Sequence, residues 1–177
     1  SADANSCDND LNSPLMCAAE NDFAQIVTIL LENGADVNLQ KTSDGKTALF
    51  LAVSNNNEAT VDILLQEKAD PNISTNDKAT PLMAASSEGQ TSLLKKLLLY
   101  GANANLKSTE GKTAFDYAKN NAIKEILEDA NKAGSMTGIG LEPLVAEHLS
   151  MVSAFLEQQD ENIDVAQLTE KMTEMRK

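Results

Sequence analysis

Residues 80–105 read TPLMAASSEGQTSLLKKLLLYGANAN and combine three features in a fixed order. A Thr-Pro pair opens the stretch, a leucine-rich block follows, and the segment GANAN closes it. Thr is a favoured helix N-cap, and Pro is favoured at the first helical position because no backbone N–H is lost there. The stretch therefore predicts two short helices, with Gly101 free to adopt a positive φ after the second.

The same features recur along the chain with a nearly constant period. The opening segments SPLMCAA, TALFLAV, TPLMAAS and TAFDYAK are spaced by 34, 33 and 33 residues, and they begin at Ser13, Thr47, Thr80 and Thr113. The closing segments GADVN, KADPN and GANAN end at Asn38, Asn72 and Asn105. The apolar blocks IVTILL, VDILL and LKKLLL lie between them. Markers that stay in phase in this way indicate a repeat protein with one supersecondary unit per copy.

A column of small residues follows the same period. It consists of Ala18, Ala52, Ala85 and Ala118. Small side chains at these positions would let neighbouring helices approach closely, so we expect each copy to pack against the next through this column. Because no copy can bury its apolar face alone, stability is expected to come from the interfaces between neighbours.

The repeat resembles the ankyrin repeat, whose pattern runs from T-P-L-H-x-A-A through I-V-x-L-L to G-A-D-V-N. The resemblance covers residues 9–131 as four copies, and the fourth stops after its second helix near Asp129 without a closing marker. It implies an all-α ankyrin-repeat solenoid of antiparallel helix pairs. Projecting β-turn loops are expected at residues 39–46, 73–79 and 106–112.

The chain departs from the family pattern in three ways. The His after Leu is replaced in the four copies by Met16, Phe50, Met83 and Asp116. That His ties adjacent turns together in the family, so these turns are expected to be less rigid. Lys68 and Asp70-Pro71 predict an irregular end to the second copy, and the longer first spacing predicts a one-residue insertion within residues 39–43.

Two Gly-Lys-Thr triplets, Gly45-Lys46-Thr47 and Gly111-Lys112-Thr113, look like the end of a phosphate-binding loop. Such a loop needs another Gly five residues before the Gly-Lys pair. Gln40 and Leu106 occupy those places. Each triplet is therefore interpreted as a turn glycine, an exposed lysine and a helix cap, and no nucleotide or other cofactor is predicted.

The formal net charge of −13 restricts the class of partner. Residues 1–38 contain seven acids and no Lys or Arg, and no segment is a basic footprint for a phosphate backbone. Nucleic acids and anionic membranes are therefore not expected as partners. Cys7 and Cys17 fit neither a metal site nor a disulfide framework. This favours a reducing, intracellular compartment, cytoplasmic or nuclear.

Two other motifs resemble functional sites. Asp160, Asn162 and Asp164 mimic the start of a calcium loop, but Val165 and Lys171 stand where the turn Gly and the bidentate Glu are needed. His148, the one histidine, falls on an apolar helical face and is interpreted as a packing residue. No catalytic or metal-binding residue is predicted, and the chain is not expected to be an enzyme.

The resemblance implies a binding surface on the concave side of the stack, made of turn tips and first helices. The tip residues are Asn9, Asp10, Asn12, Ser43, Asp44, Lys46, Asn76, Asp77, Thr109, Glu110 and Lys112. The first-helix residues are Glu20, Asn21, Ser54, Asn55, Ser87, Glu88, Asn120 and Asn121. Amides and local acidity of this kind suit a peptide or helix that carries Lys or Arg.

The two ends of the chain differ from the repeats. Residues 1–8 are predicted to be a flexible polar leader, residues 132–140 a Gly-containing linker, and residues 141–177 two short amphipathic helices. Three interpretations of these helices remain open. They cap the fourth copy, or they bind another protein or a second chain. Alternatively, Gly134-Ser135-Met136 is an engineered junction and the tail is a tethered partner segment.

These observations predict a non-enzymatic protein–protein interaction module that presents its concave surface to a protein partner. Two alternatives stay open from the sequence. One is an assembly chaperone that shields a segment of its client. The other is the regulatory ankyrin part of a larger enzyme or effector.

Overall fold

The computed structural model describes residues 5, 6, 8 and 12–136, which contain seven α-helices and no β-strand. The helices are α1 (Pro14–Glu20), α2 (Ala24–Glu32), α3 (Ala48–Ser54), α4 (Glu58–Gln66), α5 (Pro81–Glu88), α6 (Thr91–Leu99) and α7 (Asn121–Met136). Two or three residues join the helices of each of the first three copies. Connections this short make consecutive helices antiparallel neighbours.

The first helix of each of these copies begins at the predicted cap. The hydroxyl oxygens of Ser13, Thr47 and Thr80 accept hydrogen bonds of 3.3, 3.2 and 3.3 Å from the backbone N–H three residues on. Each bond satisfies one N–H that has no partner within the helix, and such a cap stabilises a helix by about 1 kcal/mol. Ser13, Thr47 and Thr80 therefore mark where the first helices of these three copies start.

The helices stack in two layers, and the small-residue column lies between copies. The first helices α1, α3 and α5 pack against one another in order, and α2 packs against α4 in the second layer. Ala52 and Ala85 are completely buried, and Ala18 is only 3% exposed. The predicted all-helical solenoid, with each copy covering its neighbour, is confirmed.

The fourth copy corrects one prediction, because residues 113–120 form turns instead of a first helix. Thr113 does not act as a helix cap. Its backbone N–H and its hydroxyl both donate to Asp116 Oδ2, at 2.8 Å each. The segment is nevertheless held on α5, since buried Ser86 donates its hydroxyl to the carbonyl of Ala114.

The last helix is longer than the sequence predicts. Helix α7 runs to Met136, past the expected end near Asp129 and into the predicted linker at residues 132–140. Ile123 and Leu127 are completely buried where α7 packs against α6. One interior glycine, Gly134, costs a helix only about 1 kcal/mol and does not end this one. Residues 137–177, including the rest of the linker, both tail helices, His148 and the calcium-like motif, lie outside the described residues.

The end of the second copy is regular, so the prediction made from Lys68 was wrong. Lys68 adopts a φ of +66°, close to the +84° of Gly34 and the +86° of Gly101. In each of the three copies, the residue after this position donates its backbone N–H to the carbonyl five residues before it in the chain. In the second copy this hydrogen bond joins Ala69 N to the Leu64 oxygen at 2.9 Å. The closing hydrogen bond holds Lys68 in a conformation that usually favours glycine.

Candidate protein-binding surface

The turns between copies are connected to one another directly. The backbone N–H of Asn76 donates to the carbonyl of Asp44 at 2.9 Å, and that of Thr109 donates to Asp77 at 3.0 Å. The Asn76 side chain adds a 3.1 Å hydrogen bond to the Ser43 carbonyl. The expectation of less rigid turns rested on the missing His, and these backbone hydrogen bonds link the adjacent turns without it.

The first turn contains the predicted extra residue. It is closed by a hydrogen bond from Lys41 N–H to the Lys46 carbonyl, whereas the second is closed from Thr75 to Ala79. The first turn therefore spans one residue more. Gly45, in this turn, has a φ of +76°. A Cβ added there would lie 2.7 Å from Asn76 Oδ1 and 2.9 Å from Asn76 N, so the adjacent turns can approach this closely only with glycine.

A Gly45→Ala substitution is expected to lower stability more than Gly111→Ala does. Both glycines have a φ of +76°, but a Cβ at Gly111 would meet nothing within 4 Å. Both variants bear the strain of a positive φ, about 1 kcal/mol, and only Gly45→Ala also pushes two turns apart. Urea unfolding of the two variants measures the difference. Equal losses would show that the approach of Asn76 to Gly45 contributes nothing.

The charged residues at two of the three turn tips pair within their own turn. Lys46 Nζ lies 3.2 Å from Asp44, and Lys112 Nζ lies 2.7 Å from Glu110. Partial burial alone would raise the pKa of Asp44. The hydrogen bonds and charge of Lys46 outweigh it, so the pKa of Asp44 lies below its usual value. The hydrogen bond to Glu110 raises the pKa of Lys112. These two turns therefore present nearly neutral pairs to a partner.

Several of the predicted amides serve the fold. Asn21 and Asn55 each donate a side-chain N–H to a carbonyl of the preceding helix, both at 2.9 Å. Asn120 Oδ1 accepts from the Ile123 N–H at 3.0 Å and caps α7. Asn120 and Asn121 thus belong to the start of α7 and not to a first helix. The amide-rich surface predicted from the sequence is less available than its composition suggests.

The remaining predicted residues divide into three groups. Asn9 and Asp10 lie outside the described residues. Asn12 donates its N–H to Asp8 Oδ1, and Ser87 donates its hydroxyl to the Ala84 carbonyl. Among the residues that the structure describes, no hydrogen bond or ion pair within the chain involves the side chains of Glu20, Ser54, Asp77 or Glu88. These four are exposed, and three of them are acids.

The surface also contains an apolar depression that the sequence reasoning missed. It has a volume of about 310 Å³ and is lined by Phe50, Ser54, Ala79, Met83, Ala84, Ser87, Glu88 and Tyr117. The lining comes from the second, third and fourth copies, so the depression crosses the stack. One signal could have found it, because Phe50 and Met83 replace the family's His in consecutive copies with large apolar side chains.

The edge of the depression is fixed by contacts in the fourth copy. Tyr117 shares a 3.1 Å hydrogen bond between its hydroxyl and Ser108 Oγ, and the Lys112 ammonium lies 5.6 Å from the centre of its ring. The backbone N–H of Lys119 donates to the Ser86 carbonyl at 3.1 Å. A turn replaces the helix in this copy, but these contacts hold Tyr117 in place at the edge of the depression.

Models of known families match the repeats. A model described as ankyrin repeats in three copies matches residues 1–75, and a second, described as ankyrin repeats in many copies, matches residues 64–118. The chain belongs to the ankyrin-repeat family. The first match begins at residue 1 and so includes the segment interpreted as a polar leader.

Named relatives share the repeats within longer proteins. An ankyrin repeat protein of fowlpox virus is 43% identical over 111 residues, which are 60% of this chain and 33% of that protein. Mouse ankyrin repeat and SOCS box protein 16 is 37% identical over 114 residues, 60% of this chain and 25% of that protein. The E3 ubiquitin-protein ligase KEG of Arabidopsis thaliana is 34% identical over 110 residues, 62% of this chain and 7% of the ligase. The chain thus matches a third or less of each relative's length.

Ankyrin repeats generally mediate protein–protein interactions, and ankyrin domains are typically non-catalytic. Some relatives carry the repeats within enzymes, as the ligase and the human 2-5A-dependent ribonuclease do. None of the helices that the structure describes combines the length and apolarity needed to cross a membrane. The predicted compartment, which rests on cysteine usage, stays a prediction.

Proposed function

We propose that the chain is a non-catalytic module that binds a protein segment along its concave surface. An apolar side chain of the partner enters the depression between Phe50, Met83 and Tyr117, and a neighbouring Lys or Arg approaches Glu88. The depression is the observation that carries this proposal. Binding sites typically combine an apolar surface with a few well-placed polar groups, and this one has Ser54, Ser87 and Glu88 in its lining.

The distribution of paired charges supports a basic partner. Lys46 in the first turn and Lys112 in the third turn are paired with Asp44 and Glu110. The side chains of Glu20, Asp77 and Glu88 are exposed acids without such a partner among the described residues. Complementary charge increases association rate and selectivity more than affinity. The apolar contact is therefore expected to supply most of the affinity.

Peptides selected from a random display library against the full chain are expected to combine a large apolar residue with Lys or Arg. For such a peptide, Ala84→Arg should weaken binding at least about tenfold, which corresponds to about 1.4 kcal/mol. Ala84 is half-buried in the lining of the depression, and a long charged side chain there would fill it. Isothermal titration calorimetry gives the affinities.

Ala59→Arg is the matched control, because Ala59 is an exposed residue of the second-layer helix α4. Binding by this variant should equal that of the parent. If both arginine variants weaken binding to the same extent, or if neither does, the partner does not use the depression.

For residues 141–177, we favour the interpretation that they engage a partner surface over the interpretation that they cap the fourth copy. A solenoid needs a polar outer face at its end. Helix α7 already provides one, because its exposed residues include Lys124, Glu125, Glu128 and Asp129. Whether the tail is native or a tethered partner segment does not affect this argument.

Deletion of residues 137–177 is therefore expected to shift the thermal midpoint by less than about 2 °C, well under the shift from losing a buried interface. Differential scanning calorimetry of the full and shortened chains checks it. A fall in the thermal midpoint well above this value would mean that the tail caps the fourth copy.

A second candidate is a targeting or regulatory segment of a larger enzyme. The ligase and the ribonuclease favour it, since each carries matching repeats within a much longer protein. The mode of binding would be the same, and the catalytic residues would lie outside this chain. No observation favours the assembly chaperone over these two functions.

A further inference from the structure

The N-terminal end of the stack exposes an apolar face on α2. Phe23, Ile26 and Ile29 are 53%, 47% and 56% exposed. Among the described residues, these are three of the five large hydrophobic side chains with this degree of exposure. A concentration of this kind on one short helix and the residue that precedes it indicates an interaction surface.

The repeat period identifies the equivalent positions in the inner copies. Ile26 corresponds to Thr60 and Leu93, which are both completely buried. Thr60 reaches the preceding copy, where its hydroxyl donates to Asp22 Oδ1 at 2.8 Å. Ile26 is therefore nearly half exposed, although the equivalent residues of the next two copies are buried.

The residues equivalent to Phe23 and Ile29 in later copies also contact a preceding copy. Phe23 corresponds to Asn57, which donates to the Ala19 carbonyl of the preceding copy at 2.8 Å. Ile29 corresponds to Lys96, whose ammonium lies 2.8 Å from Asp62 of the preceding copy. All three exposed residues thus occupy positions that contact a preceding copy elsewhere in the stack.

A separate observation comes from Asn5. Its Oδ1 accepts from the Asp36 N–H at 2.7 Å, and its Nδ2 donates to the Gly34 carbonyl at 3.3 Å. Asn72 makes the same two bonds two interfaces later, to Asn103 N at 2.7 Å and to the Gly101 carbonyl at 3.0 Å. The first copy therefore binds Asn5 in the same way as the third copy binds Asn72, the closing Asn of the second copy.

The sequence around Asn5 agrees with this role. Residues 1–5 read SADAN, similar to the closing segments GADVN, KADPN and GANAN. Asn5 precedes Asn38 by 33 residues, which is the period of the repeat. The side-chain contacts of Asn5 and the exposed face of α2 lead independently to the same partner.

We infer that the exposed face of α2 is an inter-repeat interface that receives the helix pair of a further ankyrin repeat, for which residues 1–5 are the closing segment. That helix pair covers Phe23, Ile26 and Ile29. It also lengthens the concave surface by one first helix, so a partner bound there contacts more than the four copies recognised in this chain.

The register predicts the chemistry of the incoming helix. Lys96 pairs with two acids of the copy before it, Glu58 and Asp62. Ile29 replaces that lysine, so acids at the equivalent positions of the incoming helix would remain unpaired. We therefore expect small or uncharged residues there. The second copy gives an example, because Ile63 also stands where Lys96 stands in the third copy. The residues of α2 at the positions of Glu58 and Asp62 are Ala24 and Thr28, which are small and uncharged.

The test extends the full chain with a copy of its own helix pair. Residues 13–33, carrying Asp22→Gly in the copied segment, are placed directly before Ser1, which preserves the 33-residue period. In the parent chain Asp22 accepts a hydrogen bond from Thr60. The copied Asp22 would instead face Ile26, which has no hydroxyl, so the substitution removes an acid that would have no donor. The thermal midpoint is expected to rise by about 5 °C or more, since each added interface stabilises a solenoid.

The control places the same extension on a chain carrying Ile26→Glu and Ile29→Glu, where no rise is expected. Without the extension, these two substitutions should change the midpoint little, because both side chains are about half exposed. If the extended chain melts at the parental midpoint, or if the rise survives both substitutions, the inference is wrong.

Two other occupants of the face are tested in the unextended chain. A dimer seen by sedimentation, and lost in the double Glu variant, would assign the face to a second copy. Faster amide exchange in α2 after deletion of residues 137–177 would assign it to the tail. Either result would overturn the inference, whereas a monomer with unchanged exchange in α2 supports it.

Discussion

Ala52→Trp is expected to abolish the cooperative unfolding transition of the repeats or to lower its midpoint by more than about 10 °C. Ala52 is completely buried in α3, which packs between α1 and α5. An indole cannot fit there unless the first helices separate, and overpacking of a tight core costs about 1–3 kcal/mol or more. Because stability in a solenoid comes from neighbour interfaces, both interfaces of α3 should be weakened. Circular dichroism during heating measures the effect.

Ala59→Trp is the control for this substitution, since Ala59 is an exposed residue of α4. It should melt within a few degrees of the parent. Ala85→Trp, at the equivalent buried position of α5, should behave like Ala52→Trp. Parental melting of both buried variants would contradict the stack of closely packed first helices.

Leu97→Ala is expected to reduce the free energy of unfolding by about 2–5 kcal/mol, the usual range for a buried leucine. Leu97 is completely buried in α6. Its removal leaves a cavity in the hydrophobic core, to which Leu97 belongs. Urea unfolding monitored by circular dichroism gives the change.

Leu99→Ala is the matched comparison, because Leu99 lies two residues further along the same helix and is 50% exposed. Its loss should cost less than about 1 kcal/mol, as surface substitutions usually do. If the two alanine variants lose the same stability, α6 does not present the face that the structure assigns to it.

The sequence was sufficient to predict the stack because each repeat marker has a local physical role. Ser13, Thr47 and Thr80 act as caps wherever the following residues are free to form a helix. The alanine column and the leucine-rich blocks then determine which faces meet. Because these signals recur in phase, a wrong prediction for one segment does not obscure the repeat pattern.

Other features depend on contacts that a repeat pattern does not contain. Residues 113–120 form turns where the repeat pattern predicts a helix, and Thr113 donates to Asp116 there. The backbone hydrogen bonds of its copy hold Lys68 at a positive φ, where the residue type alone predicted irregularity. Residue spacing does not show which of these hydrogen bonds form.

The depression illustrates the same limit for the candidate site. Phe50 and Met83 could be recognised from the sequence as departures from the family pattern, but their pairing with Tyr117 requires the turn of the fourth copy. Conversely, Asn21 and Asn55 looked available for binding and instead cap their own helices. A surface predicted from residue types alone overestimates the polar groups that a partner can use.

Two-dimensional NMR of the full chain with a selected peptide tests the proposed binding surface most directly. Amide shifts are expected to change most at Ser54, Ala84, Ser87 and Tyr117, and little at Ala59, Ser92 and Lys95 of the second-layer helices. Changes confined to α4 and α6, with none around the depression, would contradict it.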